Sequence, residues 1–141
     1  MTEIVIVGAK RTPIGSFQGQ FAALSGVDLG AAAIGAAVDQ AGIPGEDVNE
    51  VIMGCVLPAG LGQAPARQAS LQAGIPVAAG CMTINKVCGS GLKSVMLAHD
   101  SIKVGNSSIA VAGGLESMTN APYMLLKARG GFRMGHGEAL D

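Results

Sequence analysis

Tryptophan is absent from this 141-residue chain, tyrosine occurs once and phenylalanine three times. A core must therefore be aliphatic, built from Val, Ile, Leu, Met and Ala. Charge is scarce too: 13% of residues are charged and 49% hydrophobic. That balance excludes disorder and supplies apolar mass for about one domain. Nine basic and ten acidic residues leave a net charge of -1, so the footprint of a nucleic-acid binder is missing. The densest basic stretch, 127-KARGGFR-133, reads first as a solvated loop; its sharper reading is attraction for an anionic ligand such as a phosphate. No apolar run approaches the roughly 18 residues of a spanning helix. The N-terminus, MTEIVIVGAKRTP, lacks the basic start, long apolar middle and cleavage site of a secretion signal. The three cysteines, Cys55, Cys81 and Cys88, are odd in number and have no paired zinc spacing. We expect free thiols, no metal site and a reducing, cytoplasmic setting.

Glycine, by contrast, is plentiful at 22 residues. It is scattered between elements, which implies tight turns and close backbone packing rather than low complexity. Residues 3-EIVIVG-8 read as a buried first strand. Ser25 and Asp28 have the spacing of a capping box, and an Ala-rich helix follows over 27–41, stopped by Gly42 and Pro44. Residues 50-EVIMGCV-56 read as a second strand, 66–73 as a short helix and 81–85 as a third strand. A helix from about Cys88 to Val104 carries Leu92, Val95, Met96, His99 and Ile102 on one apolar stripe. Residues 108–112 complete the strands, and the chain after Pro122 reads as loop. Strand and helix alternate, so the fold class is α/β with a mostly parallel sheet and packed helices. In such sheets ligands and chemistry collect at the carboxyl ends of the strands.

One of those ends is 86-KVCGSG-91. A helix start stabilises an anion through its unpaired N–H groups and dipole, and so favours the thiolate of a cysteine placed there. Gly89 and Gly91 would keep the approach open for a carbonyl, and backbone N–H groups could hold the oxyanion formed on attack. These residue types suit covalent acyl transfer. A small buried cysteine packed among glycines is the competing reading, and for Cys55 and Cys81, inside strands, it is the stronger one. A third reading is a dinucleotide site at 89-GSGLKS-94. It is weakened by Ser94 at the last position and by the lack of an acid about 20 residues on. A base for the thiol is missing. His99 lies about 16 Å along the helix axis from Cys88, and nothing in 135-GHG-137 orients His136.

The segment 85-NKVCGSGLKSV-95 resembles the nucleophile segment of thiolases, the acetyl-CoA acetyltransferase family. The likeness extends in order through 11-RTPIGSFQG-19, 111-VAGGLESMTNAP-122 and 128-ARGGFRMG-135, and so covers essentially the whole chain. It implies a thiolase-like N-terminal half with a mixed, mostly parallel sheet over residues 1–119 and the start of a loop domain over 120–141. It also implies an acyltransferase: Cys88 takes an acyl group from a 3-ketoacyl-CoA or acetyl-CoA and passes it to CoA (thiolysis) or to an acetyl-CoA carbanion (Claisen condensation). CoA thioesters are then substrates, and no metal or redox cofactor is needed. Asn85 and Glu116 match the family's segments and read as framework. The family's Gly-His-Pro histidine, its Asn-Glu-Ala-Phe segment and its second cysteine have no counterpart here. The resemblance therefore implies a second polypeptide or further segment that supplies them, within a hetero-oligomer. A catalytically silent thiolase-like interaction subunit is the alternative.

Overall fold

The computed structural model describes residues 3–141. Ser25 caps the first helix, α1 (Gly26–Ala41): its hydroxyl accepts from the Asp28 N–H while the Asp28 carboxylate accepts from the Ser25 N–H. Gly42 ends α1 in the left-handed conformation at φ 66°, which costs glycine nothing. The capping box and stop signal read from the sequence are both present.

Strand β1 (Glu50–Gly54) is followed by α2 (Pro65–Gln72), β2 (Gly80–Ile84), α3 (Ser90–Lys103) and β3 (Ala110–Gly114). The three strands lie in the order β2-β1-β3 and are parallel, with Val51 opposite both Cys81 and Val111. The α/β class and this parallel pairing agree with the sequence reading. β1 is central, so Val51, Ile52 and Met53 are all buried, as a strand covered on both faces requires. Alternation sends Val51 and Met53 into the core with Ala31 and Ile34 of α1 and Ala66 and Ala69 of α2. Gly54 points the other way, against the start of α3. The first crossover runs from β1 to β2 and the second runs back past β1 to β3, in the opposite direction across the sheet. Connections of one hand then place α2 and α3 on opposite faces of the sheet.

Two expectations are corrected. Residues 3–8 form no strand. They rest on the C-terminal half of α1, where the Ala9 N–H donates to Gln40 Oε1 at 3.0 Å, and Ile6 is 79% exposed. A strand needs a paired edge, and the open edge of β3 lies across an apolar groove of about 330 Å³ lined by Ile4–Gly8, Ile109–Ala112 and α3. The second correction concerns α3. It buries Ser90, Ser94 and Ala98, not its apolar stripe. Small side chains let it lie close against Gly54, Gly113 and Gly114. Leu92 and Met96, 70% and 49% exposed, face outward, while Val95, His99 and Ile102 line the groove beside residues 4–8.

Candidate functional site

The carboxyl ends of all three strands converge beside the start of α3. The sheet reverses its strand order at β1, and such a switch point leaves a crevice at the strand ends. Cys55 follows β1, Asn85 follows β2 and Glu116 lies just after β3.

Cys88 lies in the turn that joins β2 to α3, with an exposed, free thiol. The helix begins at Ser90 with Gly89 as its cap. The cysteine therefore stands just before the helix rather than in its first turn, a shift within the usual uncertainty of helix ends. The turn closes through Gly89 N–H to the Lys86 carbonyl and Ser90 N–H to the Val87 carbonyl, each 3.1 Å. The buried Ser90 side chain braces it: its hydroxyl donates to Val87 O at 2.6 Å and accepts from Lys86 N–H at 2.8 Å. Val87 has φ 50°. A β-branched residue there is strained by about 1–3 kcal/mol, a cost that persists only where the surroundings impose it.

The glycines around the turn differ in how closely they are packed. A Cβ at Gly89 or Gly91 would meet this chain only at 3.5 Å or beyond, ordinary contact. At Gly54 it would lie 2.6 Å from both the carbonyl carbon and Cβ of Ser90. The close approach that fixes α3 on the sheet thus depends on Gly54, which sequence spacing did not single out.

Glu116 proves to be an organiser of the strand ends. Its carboxylate accepts from Val56 N–H at 2.8 Å and Leu57 N–H at 3.0 Å, and lies 3.6 Å from Cys55 Sγ. Burial first, then the charge and hydrogen bonding of Glu116, push the Cys55 thiol up to about 11. A thiol so held is protonated at neutral pH and a poor nucleophile. Cys81 lies in β2, with its sulfur 3.6 Å from Ala79 O. His99 is exposed and paired with Asp100 at 3.2 Å. Of the two roles open to it away from Cys88, core packing or a satisfied hydrogen bond, it takes the hydrogen bond. His136, Lys127, Arg129 and Arg133 are all exposed on the irregular C-terminal segment. Among the described residues no group of three or more His, Cys, Asp or Glu could hold a metal ion, and no helix is long and apolar enough to cross a membrane.

The structure is a parallel α/β layer whose strand ends meet beside an exposed thiol on a strained strand-to-helix turn. Residues 4–141 match the family description "Thiolase, N-terminal domain", and the chain belongs to the thiolase family. It is 54% identical over 141 residues to the acetyl-CoA acetyltransferase of Cupriavidus necator, covering 100% of this chain and 36% of that protein. A mitochondrial acetyl-CoA acetyltransferase of Xenopus tropicalis is 56% identical over 125 residues, 89% of this chain and 30% of that one. A crystal structure of a thiolase from Ascaris suum in complex with coenzyme A superposes with a TM-score of 0.92 at 43% identity, over 96% of this chain and 35% of that chain. The chain thus spans about a third of the length of the relatives it matches.

Proposed function

We propose that this chain is the nucleophile-bearing part of a thiolase that moves acyl groups between CoA thioesters through an S-acyl-Cys88 intermediate. The observation that carries the reading is the Cys88 thiol, exposed on a braced, strained turn where three strand ends meet. The Cys88 thiolate attacks the thioester carbonyl and a C–S bond forms. With acetyl-CoA as donor the tetrahedral oxyanion collapses, the original C–S bond breaks and CoA leaves as a thiolate that takes up a proton. With a 3-ketoacyl-CoA the thiolate attacks the 3-keto carbon instead, the C2–C3 bond breaks and acetyl-CoA leaves as a carbanion that takes up a proton. In the second step either a CoA thiolate or an acetyl-CoA carbanion attacks the S-acyl carbonyl, and the Cys88 sulfur departs. The steps use no metal and no redox cofactor.

The thiol proton needs an acceptor, and neither His99 nor His136 is hydrogen-bonded to Cys88. The base therefore comes from a complementing C-terminal segment or second polypeptide, which also covers the outward apolar face of α3. Its exposed Leu92 and Met96 support this, as does the greater length of the relatives. In this reading residues 1–119 form the α/β unit, 120–141 begin a loop domain, and the assembly is a hetero-oligomer in the cytoplasm, where free thiols persist.

The test is labelling with acetyl-CoA, complementing part present, read by peptide mass spectrometry. An acetyl group on Cys88, absent from Cys88→Ser together with acyl transfer, is the expected result. Full activity in Cys88→Ser without any adduct would instead make the chain a silent interaction subunit.

A further inference from the structure

We propose that Asn85 and Glu116, which sequence reading leaves as framework, are positioning residues for the Cys88 turn. The inference rests on the acyl-transfer reading above for its functional meaning, but its geometry stands independently.

The hydrogen bonds run in one continuous path. From just beyond β3, the Glu116 carboxylate binds the N–H groups of Val56 and Leu57 at 2.8 and 3.0 Å and so fixes the segment after β1. The carbonyl of that same Val56 accepts from Asn85 Nδ2 at 3.4 Å. The other end of the amide, Asn85 Oδ1, accepts from Val87 N–H at 2.8 Å. Val87 is the strained residue immediately before the nucleophile. A carboxylate beyond β3 thus holds the end of β1, and an amide after β2 transmits that placement to residue 87.

Three observations argue against a merely structural role. Asn85 is exposed and adds nothing to the core. Glycine would take φ 50° without strain, yet the chain keeps valine and imposes the conformation from outside. The Ser90 hydroxyl holds the same turn from the helix side, so residues 86–88 are braced from both directions. Such bracing suits a thiol whose attack requires near-alignment with a carbonyl, where a displacement of about 1 Å can cost on the order of a hundredfold in rate.

The amide is the part that can be removed without touching the core. In the full protein with its complementing part, Asn85→Ala removes both bonds, whereas Asn85→Asp keeps an acceptor for Val87 N–H. Glu116→Gln is the second variant, chosen because it preserves side-chain size. Iodoacetamide labelling of Cys88, followed by peptide mass spectrometry across pH, reads the turn. Acetyl transfer, separated into kcat and KM, reads the chemistry, and the melting temperature reads the fold. Asn85→Ala is expected to lower kcat by about tenfold to a hundredfold at nearly constant KM and to displace the pH profile of Cys88 labelling. Asn85→Asp should recover most of both, and Glu116→Gln should fall between wild type and Asn85→Ala. Unaltered labelling and kcat in Asn85→Ala would overturn the proposal. So would losses that follow melting and do not return in Asn85→Asp. If the wild-type protein acquires no acetyl group on Cys88, the acyl-transfer reading fails, while the labelling profiles still decide whether Asn85 positions the turn.

Discussion

The two cysteines nearest the strand ends differ in what their surroundings allow. Cys55 is buried beside a carboxylate, and Cys88 is open to solvent. Iodoacetamide at pH 8 should therefore label Cys88 and spare Cys55 until the chain is unfolded, as peptide mapping would record. The raised Cys55 thiol has a second consequence. Its folded value of about 11 exceeds the ordinary 9.0, so the folded state holds its proton more tightly. The associated stability is complete below pH 9 and is lost as pH rises through about 11. Asp28 has the opposite sign. The Gln72 side chain, then the Ser25 side chain and N–H, lower its pKa below 3.8. Its contribution is present above the ordinary carboxylate value and fades as pH falls through the lowered one. Urea midpoints of wild type and Asp28→Asn should differ at pH 7 and converge as pH falls below the ordinary carboxylate value. Ser25→Ala, which removes the cap hydroxyl, should cost about 1 kcal/mol.

Among the elements, α1, β1, α2, β2, α3 and β3 were legible because each carries a local signal: a capping box, a β-branched run, a glycine stop. Cys88 was legible as a candidate for the same reason. Residues 3–8 carry a local strand signal as well, but pairing depends on a partner edge that no local pattern encodes. The α3 stripe misled for a related reason. Periodicity identifies an apolar face without saying whether something covers it, and here glycines on the sheet accept the Ser90, Ser94 and Ala98 face instead. Gly54 was invisible because its importance is a distance to residues 36 positions away in sequence. Gly54→Ala should push the start of α3 outward, costing about 1–3 kcal/mol. A drop in melting temperature with slower Cys88 labelling would be the signature; an unchanged melt would show that α3 can yield at no cost.

For the whole molecule, the exposed Leu92 and Met96 mark the face where the proposed complementing part docks. Leu92→Asp combined with Met96→Lys should abolish assembly in gel filtration while leaving the circular dichroism spectrum of the chain intact. Assembly that survives both changes would place the contact elsewhere.

The strand order β2-β1-β3 also bears on when, during folding, the Cys88 turn takes its final shape. Pairing β1 with β2 closes a shorter stretch of chain than pairing β1 with β3, and longer closures carry the larger entropic cost. We expect the β1–α2–β2 unit to form first and β3 to dock afterwards, bringing Glu116 to Val56 last. The turn at Val87 would then lock only as the sheet is completed, so that a nascent or half-folded chain carries an unaligned thiol. Pulsed alkylation during refolding tests this. Cys55 should become protected and Cys88 reach its native labelling rate in the same final phase, and an earlier native rate at Cys88 would refute the order.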